Sequence, residues 1–141
     1  MLRIVFGDRV KMRTYSGRVV AGSGGASRAF LYADRRRIKE YAEILGFEPF
    51  PGSLNVVLDT VFDWSDPDVI AETLDVIDRS AGFDSEWALR PIRFYRVRVD
   101  GHEAVAYRHV GEKYPRNFLE LIAPVWLRGA LTSERVTVTR V

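Results

Sequence analysis

"IRFYRVRVDGHEAVAYRHV", residues Ile92 to Val110, alternates apolar and polar side chains on either side of an Asp100-Gly101 pair. A period of two sends successive side chains to opposite faces of an extended chain, which is the pattern of a half-buried strand. Asp-Gly between two such runs suits a two-residue hairpin turn, whose central positions take positive φ. The stretch therefore reads as a β-hairpin. Three further runs are rich in β-branched residues and read as strands: "GRVVAG" (Gly17 to Gly22), "LNVVLD" (Leu54 to Asp59) and "RVTVTRV" (Arg135 to Val141).

Two segments interrupt this pattern. In "DRRRIKEYAEILG", Ile38, Tyr41, Ala42 and Leu45 recur at helical spacing, with Asp34 as cap, Gly46 as stop and Arg35 to Arg37 on the exposed side. In "SDPDVIAETLDVIDRSAG", Ser65 and Asp68 have capping-box spacing, Pro67 falls in the first turn, and Ile70, Leu74 and Ile77 form a stripe, so a helix is expected from Ser65 to Ser80. A third, shorter helix is expected from Asn117 to Ile122. Many short strands with few helices imply a small, mostly β barrel with helical insertions. No internal repeat or linker divides the sequence, so residues 1–141 are expected to form a single domain.

The composition, 47% hydrophobic and 28% charged, is that of a globular protein. With no cysteine, disulfide and thiolate chemistry are excluded, and His102 and His109 alone do not make a structural zinc site. A metal, if used, should be hard and oxygen-bound. No apolar run approaches the ~18 residues that cross a bilayer, and "MLRIVFGDRVKMR" is too short in apolar core for a signal peptide. A cytoplasmic protein without membrane attachment is expected, and a monomer is compatible with this composition. The net charge is only +2.

Three segments could carry chemistry. "VVAGSGGASRAF" ends a strand in Gly22, Ser23, Gly24, Gly25, Ala26 and Ser27, a loop with few side chains in which backbone N–H groups can converge on an anion, and Arg28 follows as a cation. It is neither a Walker A loop nor a dinucleotide fingerprint, and a plain connection would look the same. Ser53 and Asn55, two residues apart, would point the same way from extended chain and offer two neutral oxygens to one hard cation; turn chemistry is the simpler account. Glu120 sits among Leu119, Leu121 and Ile122, where a carboxylate needs a ligand or a partner, and Arg128 could pair with it.

In order along the chain, a glycine loop after a strand, then "LGFEPFPGSLNV", "YP" and "LELIAPVWLR" resemble the archaeal CTP-dependent riboflavin kinase family. That family has a Gly-x-Gly-Glu-Gly loop, Leu-Gly-Phe-x-Pro-Tyr-Pro-Gly-Thr-Leu-Asn, Tyr-Pro, and Glu-Val-Ile-Ala-Pro followed by Leu-Arg. The resemblance runs from about Gly17 to the C-terminus. It implies a six-stranded cradle-loop barrel that moves the γ-phosphoryl of CTP to the ribityl 5′-hydroxyl of riboflavin, giving FMN and CDP, with Mg2+.

By resemblance, Ser53 and Asn55 match the metal ligands, and Gly22, Ser23, Gly24, Gly25, Ala26 and Ser27, with Arg28, match the loop around the nucleotide phosphates. Val125, Trp126, Leu127 and Arg128 match the segment holding the nucleotide near its base. Glu120 matches a glutamate at the flavin site and is the candidate to orient or deprotonate the hydroxyl. Glu112 falls where the family has a flavin-contacting threonine, and Gly25 where it has a loop glutamate.

Other readings are a barrel that binds nucleotide or flavin without transfer, and a nucleic-acid-binding barrel. The latter would use Arg93, Arg96, Arg98 and Arg108 with Phe94, Tyr95 and Tyr107 as stacking surfaces. With so small a net charge, a solvated arginine face over an aromatic core is preferred.

Overall fold

The computed structural model describes residues 13–21, 39, 42–50, 53–71 and 91–141. Among the described residues seven strands are formed: β1 (Thr14–Val20), β2 (Leu54–Leu58), β3 (Val69–Ala71), β4 (Ile92–Val99), β5 (His102–His109), β6 (Phe118–Ile122) and β7 (Arg135–Arg140). Six of them close into an antiparallel barrel in the order β4-β5-β6-β2-β1-β7, with β7 returning to β4. The β4–β5 turn is the one expected: Asp100 and Gly101 have φ of 48° and 86°, and His102 to His109 pair in full register with Ile92 to Val99.

Strand β4 is shared along its length. Its first half pairs with β3, Phe94 facing Val69, and its second half with β7, Val99 facing Val138. Strand parity divides the apolar residues between two cores. Tyr95, Val97, Val99, Leu119, Leu121, Val56 and Leu58 point into the barrel and meet Phe62 and Trp64 there. Ile92, Phe94, Val105 and Ile122 point outward and are covered by Leu45, with Ile44 and Phe47 packed against them. Residues 42–45 are helical, and the turn closes at Gly46, whose N–H donates to Ala42 O.

Two expected helices are corrected. Asn117 to Ile122 is not helical: Phe118–Ile122 is β6 and pairs with both β2 and β5. The run is apolar enough to fit either period, and pairing on both sides settles it as a strand. The helix from Ser65 to Ser80 does not begin at Ser65. Asp63 Oδ1 accepts from both Ser65 N and Ser65 Oγ, Asp66 takes a left-handed φ of 53°, and Val69–Ala71 is β3. Asp68, the proposed capping-box acid, instead accepts from Arg96 N at 2.6 Å and Arg140 Nη1 at 2.7 Å. Two donors from β4 and β7 outcompete a local cap. Ile70, placed by periodicity on an apolar stripe, is exposed.

β1 starts at Thr14 rather than Gly17, and a one-turn helix, Leu127–Ala130, was not anticipated. Residues 72–80 of the expected second helix, Asp34, the Pro51-Gly52 turn, Gly22 to Ser27 and Arg28 lie outside the described residues.

Candidate functional site

Directly opposed residues of antiparallel neighbours leave the sheet on the same side. The registers align Val20 with Asn55, Asn55 with Glu120, Glu120 with Tyr107, and Tyr107 with Phe94. This row crosses five strands. Leu54, Val56, Leu119 and Leu121 take the inward positions, so Asn55 and Glu120 project from the outer face, next to the second core.

Asn55 is only 5% exposed. Its Oδ1 is buried and accepts no hydrogen bond from any described residue, an arrangement that costs about 1–3 kcal/mol. Ser53, half-buried, precedes β2 by one residue and Asn55 by two. Among the described residues no group of three or more His, Asp or Glu forms a metal cluster. The donors here are neutral oxygens, and an orphaned amide oxygen at the lip of a strand fits a hard cation that takes its other ligands from phosphate.

Glu120 Oε2 accepts from Tyr107 Oη at 2.9 Å. Burial pushes the Glu120 carboxyl up, while the Tyr107 hydrogen bond and the Arg108 charge oppose the shift. Among the described residues, Arg108 is the cation whose charge acts on Glu120, while Arg128, the partner offered by the sequence, donates to Val20 O. Nearby, Glu112 is pushed up to about 7, first by burial and then by the Glu120 charge, against the His109 backbone N–H and Arg108. Tyr114 is raised by burial and by both carboxylates.

The Val125–Arg128 segment meets β1 at the same end as Asn55, its last residue Val20. Leu127 is buried and anchors it, while Val125 and Trp126 are exposed, Trp126 at 60%. The indole lies on the backbone of Gly129: a Cβ there would come within 2.5 Å of Trp126 Cε3. Arg128 Nη2 donates to Val20 O at 3.5 Å, two residues before Gly22. A shallow depression of about 260 Å³, lined by Val19, Arg128, Leu131, Thr132, Ser133 and Glu134, adjoins it.

Val20 thus links the two halves. It pairs with Asn55 through the sheet and meets Arg128 through its carbonyl. The structure brings together Asn55, Glu120 and Glu112, with Arg128 reaching the end of β1; Gly22 to Arg28 lie outside the described residues. Tyr107 and Arg108, read from sequence only as parts of a nucleic-acid face, act on Glu120 instead, Tyr107 by its hydrogen bond and Arg108 by its charge. Arg108 had a legible signal, because it follows Ala104 and Ala106 at the inward parity of β5. Phe94 and Tyr95 are buried, at 2% and 0% exposure, and Arg108 at 9%, so these three do not offer a surface for stacking or binding nucleic acid, while Arg93 and Arg98 are exposed.

The family model CTP-dep_RFKase, described as "Domain of unknown function DUF120", matches residues 19–139. Curated relatives bearing the name "Riboflavin kinase" include one from Methanocella arvoryzae, 35% identical over 82% of this chain and 50% of its own length. Another, from Pyrococcus abyssi, is 37% identical over 82% of this chain and 51% of its own. A third, from Methanococcoides burtonii, is 30% identical over 91% and 55%. The closed antiparallel sheet defines a small β-barrel domain, with Asn55, Glu120 and Tyr107 in one row on its outer face. The chain belongs to the CTP-dependent riboflavin kinase family. It spans about half the length of the curated relatives it matches. Among the described residues, no helix is long and apolar enough to cross a membrane.

Proposed function

We propose that this chain is a CTP-dependent riboflavin kinase, transferring the γ-phosphoryl of CTP to the ribityl 5′-hydroxyl of riboflavin to give FMN and CDP. The observation that carries the reading is the opposition of Asn55, with its unpartnered buried Oδ1, to Glu120 across β2 and β6. The family match and the names of the relatives point the same way.

Phosphoryl transfer depends on positioning and charge neutralisation more than on covalent catalysis. The ribityl oxygen forms a bond to Pγ, the bond from Pγ to the β,γ-bridging oxygen breaks, and CDP leaves with its electrons. Glu120 orients the hydroxyl and receives its proton; a carboxylate whose pKa is raised by burial is a stronger base than a solvated one. Tyr107 holds that carboxylate in place. Ser53 and Asn55 would hold Mg2+, which when bound supplies neutralisation of the phosphate charge. Gly22 to Ser27 and Arg28 would cradle the phosphates, and Val125 to Arg128 the nucleoside.

One observation favours a second reading, a barrel that binds flavin or nucleotide without transfer. Glu112 puts a buried carboxyl beside Glu120 where the family has a threonine.

The test is FMN formation from riboflavin with magnesium, CTP and ATP being offered separately and the product separated by chromatography. FMN made preferentially with CTP, and turnover slowed by Glu120→Gln more than nucleotide affinity is weakened, are the expected results. No FMN from either donor in a folded preparation that still binds riboflavin would replace the kinase by the binding barrel.

A further inference from the structure

Arg108 is a buried cation that neither transfer nor metal binding uses. It stands at the inward parity of β5, where Ala104 and Ala106 precede it, at 9% exposure. Its Nη2 donates to Tyr114 O at 2.6 Å and to Glu112 O at 3.2 Å, and its Nη1 to Pro115 O at 3.4 Å. The same Nη1 lies 3.4 Å from Glu112 Oε2, and the guanidinium sits 5.0 Å from the Trp64 ring centroid. Trp64 Nε1 in turn donates to Arg116 O at 2.8 Å.

We infer that Arg108 is a positioning residue for the flavin side of the site, holding the turn between β5 and β6 so that Glu112 and Tyr114 stand beside Glu120. The inference rests on the proposed kinase reading. Three carbonyls of one turn accept from a single side chain, and Trp64 takes a fourth. Only a planar fork with several N–H groups satisfies that many acceptors at once; a lysine offers a point charge on a flexible stem. The cost of burying a guanidinium is offset by this full set of partners. Arg108 is also the positive charge acting on both Glu112 and Glu120, so it offsets the repulsion that bringing them together creates. It need not touch substrate to do this.

The test compares Arg108→Lys, which keeps charge and loses the fork, with Arg108→Met, which keeps the stem against Trp64 and loses both. In each, the KM for riboflavin is expected to rise by about tenfold or more, as a displaced positioning group does, while the KM for CTP stays within about twofold. Lysine is expected not to restore the wild-type value. Amide exchange should accelerate in residues 110–117 and not in β7. Equal changes in both KM values, full rescue by lysine, or unchanged exchange in the turn would each overturn the inference.

If the wild-type protein makes no FMN, the kinase reading fails separately, and riboflavin affinity by flavin fluorescence takes the place of KM. Weaker flavin binding together with faster exchange in the turn would then support the clamp. A wild type that does not bind riboflavin would refute its placement at a flavin site.

Discussion

Asn55 shows how one side chain can be legible in sequence for one reason and telling in structure for another. Its spacing from Ser53 suggested two oxygens on one face; its orphaned Oδ1 is a consequence of the β2–β6 pairing, which buries it opposite Glu120. Asn55→Ala is expected to lower magnesium-dependent turnover on the order of 10- to 100-fold. The melting temperature in metal-free buffer should hardly fall, because the lost packing is offset by removal of an unsatisfied buried acceptor. Magnesium titration of turnover and calorimetry check the two halves, and an unaltered magnesium dependence would remove Asn55 from the site.

Glu112 carries a pH signature. Its folded pKa, about 7, lies above the ordinary carboxyl value of 4.5, so between these values the folded state holds a proton that the unfolded chain has released. Stability is therefore expected to fall as pH rises from about 4.5 to about 7 and then to level off. Glu112 contributes about 3 to 4 kcal/mol at most to that fall. Glu112→Gln should flatten the decline and leave the variant more stable than wild type at pH 8, as read by denaturant titration at several pH values. An unchanged slope would show that Glu112 is not the titrating group.

At the scale of elements, the β4–β5 hairpin was legible because Asp100-Gly101 and the flanking alternation agree. The β6 strand was not, since a short apolar run such as "FLELI" fits a helix as readily as a buried strand until its neighbours are known. β3 was hidden for a related reason: Ser65 and Asp68 satisfy a helix-start pattern locally, and only Arg96 and Arg140, distant in sequence, draw Asp68 away. The one-turn helix Leu127–Ala130 makes its own prediction. Gly129→Ala would drive a Cβ to within 2.5 Å of Trp126 Cε3, so the indole must leave its seat. Tryptophan emission is expected to change and CTP affinity to fall about threefold to tenfold, a loss of order one kcal/mol, with little change in melting temperature because the helix is short and largely exposed. Unaltered CTP affinity with a displaced indole would separate Trp126 from the nucleotide segment.

At the scale of the whole molecule, closure depends on the seam where β4 meets β7, at which Val99 and Val138 face each other and both are fully buried. Val138→Ala removes two methyl groups from a packed interior and is expected to cost about 2 kcal/mol, transfer and cavity contributions together. If the chain folds as one domain, tryptophan fluorescence and far-UV circular dichroism should report the same single transition, shifted together in the variant. Two separate transitions would contradict a single domain.

By itself the sequence determined what depends on local chemistry and parity: a mostly β chain, the hairpin turn, the helix stop at Gly46, and the spacing of Ser53, Asn55 and Glu120. Those features follow from side-chain alternation and from positive-φ turns, which act over a few residues. Tertiary structure alone decided that Phe118–Ile122 and Val69–Ala71 are strands, that Asn55 lies opposite Glu120, and that the charge of Arg108 acts on Glu120 while Arg128 donates to Val20 O. Each depends on hydrogen bonds or charges from residues far away in sequence, and closing the barrel is what brings those partners within reach.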